Sequence, residues 1–319
     1  MRALLTATAL LAAPLAQAQT APAETEVTAP GPLGALAGTL IDRDAAAPLL
    51  VILPGSGPTD RNGDNRLAVA GSPYRQLALA LAERGVSTVR VDKRGMFGSH
   101  AAVANPNAVT IADYAADAHA WADAMRKRTG RACVWILGHS EGGLVALQAA
   151  QVSRGICGIV LVSAAGRPLG TVMREQLRAS PAPAPILSAA IAMIDALEAG
   201  RPVDPATLPA PLPAMFPEGV QKYLIDALRY DPAKLAARLN LPILIAQGDR
   251  DIQVSVADAQ SLAKAAPAAT LAIIPGMTHV LRTAPDKTRG ASAATYADAS
   301  LPVAPTLADA IAGFVTRKR

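Results

Sequence analysis

Ala132-Cys133-Val134-Trp135-Ile136-Leu137-Gly138-His139-Ser140-Glu141-Gly142 is the stretch on which the reading of this chain turns. An apolar run of strand type, Ala132 to Leu137, passes directly into Gly138-His139-Ser140-Glu141-Gly142, and a helical stretch follows from Leu144 to Val152. A strand that bends sharply into a helix at a serine leaves no room for a side chain two residues before or after it, which explains glycine at 138 and 142. Ser140 is then held strained with its hydroxyl exposed. The free N–H groups and positive dipole end of the helix behind it face the place where an oxyanion develops in acyl transfer. The bare G-x-S-x-G pattern recurs by chance, but between a buried-type strand and a helix it is a specific signal.

Outward from this turn the chain alternates short apolar strands with amphipathic helices. Pro48 to Leu53, Val86 to Val91, Ile159 to Ser163, Pro242 to Gln247 and Thr270 to Ile274 read as strands. Tyr74 to Arg84, Ile111 to Arg128, Ser255 to Ala266 and Leu307 to Val315 read as helices, and Leu33 to Ile41 as an antiparallel lead-in pair. Strands without polar alternation, each followed by a helix, predict an α/β fold with a mostly parallel central sheet covered on both faces. Ligands of such sheets bind at the carboxyl ends of the strands. Nine prolines between Ser180 and Pro217 interrupt the repeat, flanking helical stretches at Ile186 to Glu198 and Val220 to Arg229. The expected division is therefore a core of residues 33–166 and 242–319 with a helical cap inserted at 167–241.

Residues Met1 to Ala18 read as a signal peptide: Arg2 as a basic start, Ala3 to Leu15 as an apolar stretch too short to span a bilayer, and Ala16-Gln17-Ala18 as the cleavage site. The expectation is export to the periplasm or medium, cleavage before Gln19, a flexible leader over 19–32, and no stable membrane insertion afterwards. With 319 residues, 51% of them hydrophobic, the chain can bury a large core. A net charge of +5 is scattered and aromatics are 3%, so neither a phosphate-tracking groove nor base-stacking platforms are evident, and nucleic acid is not an expected partner. Burial habits favour Cys133 and Cys157 as two small hydrophobic thiols, although export and neighbouring parallel strands leave a disulfide open.

A serine hydroxyl is a poor nucleophile until a base takes its proton, and the base needs a third group to orient it. Of four histidines, His139 lies in the turn and points elsewhere, His119 is inside a helix, and His100 is in a loop. His279, in Pro275-Gly276-Met277-Thr278-His279, follows the last core strand and is the expected base. Gly248-Asp249-Arg250-Asp251 offers two acids after the preceding strand. Asp251 is far enough around the turn to reach back to the histidine loop; Asp249 suits bracing of the turn. The order Ser140, Asp251, His279 is one of the known chain orders for such a triad. The oxyanion hole is expected from the Glu141 amide and from the Pro54-Gly55-Ser56-Gly57-Pro58-Thr59-Asp60 loop, with Ser56 as donor and Gly57 as the alternative. No His/Asp/Glu cluster has metal-ligand spacing, and neither metal nor cofactor is implied.

Together with Asp92-Lys93-Arg94-Gly95 and Gly142-Gly143, these motifs resemble the α/β-hydrolase superfamily, in particular bacterial esterase-like serine hydrolases near the dienelactone-hydrolase and serine-aminopeptidase-like branches. The resemblance runs from about Leu33 to Val315. It implies hydrolysis of a small carboxylic ester through an acyl-enzyme, and a structural pair of Asp92 and Arg94 behind the active site. It departs at Pro54-Gly55, where the family usually has His-Gly. Amide or thioester cleavage on the same fold is the alternative, Glu175 and Glu198 being candidates for an aminopeptidase's ammonium subsite; a non-catalytic binding protein is the third reading. Ala, Pro, Leu and Met in the cap suggest an apolar acyl pocket of modest size.

Overall fold

The computed structural model of the chain describes residues 22–65, 69–179 and 183–317. The predicted signal peptide, Met1 to Ala18, lies outside the described residues. In chain order the sheet strands are β1 (Thr25–Pro30), β2 (Ala35–Ile41), β3 (Leu49–Leu53), β4 (Ser87–Val91), β5 (Val134–His139), β6 (Ile156–Val162), β7 (Ile243–Gly248) and β8 (Thr270–Ile274). They form one sheet in the order β1-β2-β4-β3-β5-β6-β7-β8. The β1–β2 and β2–β4 pairs are antiparallel and every later pair is parallel, as the strand pattern predicts.

Alternate residues of each central strand feed opposite apolar layers. Leu49, Val51 and Leu53 pack with α2 (Ile111–Thr129), α3 (Glu141–Ala149) and α9 (Val256–Ala265); Leu50 and Ile52 pack on the other face with α1 (Pro73–Glu83) and α11 (Pro305–Val315). A strand buried on both sides has no face for a polar residue, hence the unbroken apolar runs. Local signals set the helix ends. Thr110 and Asp113 cap each other's backbone at the start of α2, its last turn carries Arg126, Lys127 and Arg128, and Gly130 closes it in a left-handed conformation.

Between β6 and β7 run α4 (Leu169–Ala179), α5 (Ala184–Glu198), α6 (Leu212–Met215), α7 (Glu218–Ala227) and α8 (Pro232–Ala236). Ala190, Met193, Ile194, Leu197, Leu212, Phe216 and Leu228 give this insert an apolar cluster of its own. Arg167 ties its entry to the core, reaching Asp258 of α9 at 2.8 Å and Glu175 of α4 at 2.6 Å. The remaining helix, α10 (Arg289–Ala294), precedes the closing helix α11. Among the described residues no helix is long and apolar enough to cross a membrane.

Four expectations need correction. The leader is not flexible throughout: Thr25 to Pro30 pairs with β2, burying Val27 and Ala29 while its other residues face solvent. The lead-in pair accordingly spans residues 25–41 and not 33–41. The elbow helix starts at Glu141 and not Leu144, because Gly142 and Gly143 are demanded by close packing; a Cβ at 142 would sit 2.6 Å from the Leu53 carbonyl oxygen and one at 143 would sit 2.4 Å from Ala164 Cβ. Cys133 and Cys157 are not free thiols but a disulfide with Cα atoms 5.2 Å apart. The register between β5 and β6 slips after Val134, leaving Cys157 as the extra residue between the partners of Val134 and Trp135, beside Cys133. Lastly, Asp92 and Arg94 do not pair. The Asp92 carboxylate accepts from the Arg61 backbone N–H at 2.9 Å, Arg61 Nε at 3.1 Å and the Gly98 N–H at 3.1 Å, which fills it, while Arg94 is clasped by Asp117 of α2 at 2.6 and 2.7 Å.

Candidate active site

Ser140 stands between β5 and α3 with φ 53° and ψ −119°, a left-handed conformation that a non-glycine residue adopts only under constraint. The constraint is visible at Gly138, where a Cβ would lie 2.0 Å from the Gly142 carbonyl oxygen. Three loops at the carboxyl ends of β3, β7 and β8 converge on this serine. Ser140 Oγ lies 3.1 Å from His279 Nε2, and His279 Nδ1 lies 2.9 Å from Asp251 Oδ2. Because a carboxylate only accepts, Nδ1 carries the proton and Nε2 accepts from the serine hydroxyl.

Asp251 is fully buried, and burial by itself raises a carboxyl. His279 and the backbone N–H groups of Val254 (2.9 Å) and Gln253 (2.8 Å) outweigh that and hold the Asp251 carboxyl below the ordinary aspartate value. Asp249 turns to the neighbouring loop, accepting from the Gly276 N–H at 2.6 Å and pairing with Arg250 at 2.9 Å.

His139 points away from Ser140 but is built into its support. Gly55 N–H donates to the Tyr74 hydroxyl at 3.1 Å, Tyr74 donates to His139 Nδ1 at 2.7 Å, and His139 Nε2 donates to the His279 carbonyl oxygen at 2.8 Å. This buried relay ties the loop after β3, the elbow and the His279 backbone together. Burial, followed by the neighbouring His279, pushes His139 down to about 3, so its ring is neutral and keeps both roles.

The loop after β3 is held from its other side as well. Lys93 Nζ donates to the Gly55 carbonyl oxygen at 2.7 Å and lies 3.5 Å from Glu141 Oε1. In a planar trans peptide the N–H points opposite to the C=O, so the Ser56 N–H is directed away from Lys93. Burial lowers the Lys93 ammonium from its ordinary value, and Glu141 opposes that shift. Two cavities meet at Ser140, of about 150 Å³ and 250 Å³, and Ser56 and Gln253 line both. The structure thus brings Ser140, Glu141, Ser56, Asp251 and His279 together; Gly57, the alternative donor, lines neither cavity.

Lys93, Tyr74 and Gln253 have no role in the reading of the sequence. Lys93 stands two residues past the end of β4, and only the order β4-β3-β5 brings that position under the loop after β3. Among the described residues no group of three or more His, Cys, Asp or Glu is placed to hold a metal ion.

The curated esterase EstD of Thermotoga maritima is 28% identical to this chain over 218 residues, which are 66% of the chain and 48% of that protein. The chain spans about half the length of that relative. A hydrolase of Pseudomonas aeruginosa has a similar structure, with a TM-score of 0.56 at 20% identity over 94% of this chain and all of the other. Est1E of Butyrivibrio proteoclasticus, solved with ferulic acid, gives a TM-score of 0.54 at 19% identity over 84% of this chain and 96% of its own. At such identities the likeness is one of fold. The sequence pattern of the alpha/beta hydrolase family matches residues 50–291, a span that carries the elbow, the three converging loops and the inserted helices, and the chain belongs to that family.

Proposed function

We propose that the chain is an exported serine esterase in which Ser140, His279 and Asp251 form the catalytic triad. The observation that carries this reading is the hydrogen-bonded line Ser140 Oγ, His279 Nε2, His279 Nδ1, Asp251 Oδ2, at 3.1 and 2.9 Å. Both spacings lie in the range needed for a nucleophile, its base and the group that orients the base. Ser140 attacks the ester carbon while His279 accepts its proton. The Glu141 and Ser56 N–H groups receive the oxyanion, each worth ~2.7–4 kcal/mol of barrier. His279 then gives the proton to the departing alcohol, and water, activated by the same ring, releases the acid.

The esterase name of the Thermotoga maritima relative supports the ester bond. So does the state of the acids considered for an ammonium subsite: Glu175 is paired with Arg167 and Glu198 with Arg174. The helices between β6 and β7 serve as the cap in this reading, residues 167–241. The Cys133–Cys157 bond supports export, since disulfides persist in oxidising compartments. The test is turnover of p-nitrophenyl acetate, butyrate and octanoate beside a panel of aminoacyl-p-nitroanilides, by wild type and Ser140→Ala. Ester turnover abolished by the substitution supports the proposal; turnover confined to the anilides makes the protein a peptidase.

A further inference from the structure

The two cavities that meet at Ser140 differ in chemistry, and that difference selects a substrate. The larger, about 250 Å³, lies between α3 and the inserted helices and is walled by Leu144, Leu169, Val172, Met173 and Leu224. Its charged members are engaged: Arg167 with Asp258 and Glu175, Glu141 with Lys93. The smaller, about 150 Å³, lies between the loop after β3 and the His279 loop, where the neutral polar groups of Thr59, Asn65, Gln253 and Tyr296 stand beside Val69, Pro73, Val280 and Leu281, and among the described residues no Asp, Glu, Lys or Arg contributes to the wall. Gln253 divides the two. Its side-chain amide nitrogen donates to the Tyr296 hydroxyl at 2.8 Å and its backbone carbonyl oxygen accepts from the Gln176 side chain of α4 at 2.8 Å, so both the side chain and the backbone of this partition are held.

His279 decides which half of an ester goes where. The oxygen of the leaving alcohol must come within hydrogen-bond reach of His279 Nε2 to receive its proton. His279 lines the smaller cavity and not the larger, whereas Glu141, whose N–H faces the oxyanion, lines the larger. We infer that the larger cavity takes the acyl chain and the smaller one the alcohol, so that the preferred substrate is a medium-chain acyl ester of a small hydroxylated alcohol such as glycerol. A volume below the ~300–1,000 Å³ of pockets for drug-sized ligands sets the medium length. This inference rests on the esterase reading and adds polarity and direction to it. In the reaction the ester C–O bond breaks as the Ser140 Oγ–C bond forms, and the proton of Ser140 leaves with the alcohol; water then restores it.

A mirror pair of substrates tests the direction: octanoylglycerol, with an apolar acyl group and polar alcohol, against octyl glycerate, with the two reversed. Wild type is expected to favour octanoylglycerol in kcat/KM by at least about tenfold, the discrimination a shaped apolar pocket provides. Leu224→Trp, which fills the larger cavity, is expected to lower kcat/KM for octanoylglycerol by about tenfold or more while acetylglycerol changes little. Tyr296→Phe is expected to narrow the preference for octanoylglycerol over ethyl octanoate. Equal or reversed use of the mirror pair, or a Leu224→Trp effect on the alcohol instead of the acyl group, overturns the assignment and leaves the esterase standing. Failure to cleave any ester, with no phosphonate labelling of Ser140, overturns the esterase reading itself.

Discussion

Lys93 Nζ, 2.7 Å from the Gly55 carbonyl oxygen, fixes the direction of the peptide group whose N–H belongs to Ser56. Without that contact the peptide can turn, and the N–H leaves the side on which an oxyanion forms. Lys93→Met should therefore lower kcat by about 10- to 100-fold with KM little changed, somewhat less than the 10²–10³ lost when an oxyanion donor is removed outright. Leaving the half-buried Glu141 beside no cation by itself perturbs the fold. The double substitution Lys93→Met/Glu141→Gln removes that charge; it should recover stability in urea titration and stay slow. Recovery of activity in the double variant would mean that Lys93 serves only to neutralise Glu141.

Acid should destabilise the protein through His139. Its folded value of about 3 lies below the ordinary 6.5, so between those values the unfolded chain binds a proton that the fold refuses. Stability is complete above the ordinary value and falls as pH drops below it, by up to about 1.4 kcal/mol per pH unit. Asp251, also lowered, adds a loss of the same sign below the ordinary aspartate value of 3.8. His139→Gln keeps a donor for the His279 carbonyl without titrating. Its urea midpoint should decline less steeply than that of wild type between about pH 6 and pH 4; parallel curves would remove His139 as the cause.

The Cys133–Cys157 bond closes a loop with a sequence separation of 24 at the amino ends of β5 and β6, at the opposite end of β5 from Ser140. Chain-entropy reasoning assigns such a loop about 3.5 kcal/mol. Cys133→Ala/Cys157→Ala should lose that much in urea unfolding while ester turnover at moderate temperature is retained. Thiol titration of the denatured, unreduced protein should find no free thiol; two would show that the bond is absent.

How far the sequence speaks depends on the range of the signal. The elbow and the loops bearing Asp251 and His279 are legible because each stands at the end of an apolar strand and carries its own glycine and turn chemistry. The sheet is legible because strands buried on two faces admit almost only apolar residues. β1 is hidden because it buries one face, Val27 and Ala29, between polar neighbours that read as leader. The disulfide depends on a one-residue slip between two strands. The Lys93 clamp depends on strand order, and the helices α4, α6 and α8 on packing within a Pro-rich insert whose periodicity is short. Asp92 and Arg94 mislead for the same reason, since their partners Arg61 and Asp117 come from elsewhere in the chain.

The central claim is that Ser140 is the nucleophile, and active-site titration with a p-nitrophenyl alkylphosphonate tests it most directly. The reagent should release one equivalent of p-nitrophenol per chain, add one phosphonyl group to the peptide containing Ser140, and do neither with Ser140→Ala. Labelling of another residue, or equal labelling of Ser140→Ala, would contradict it.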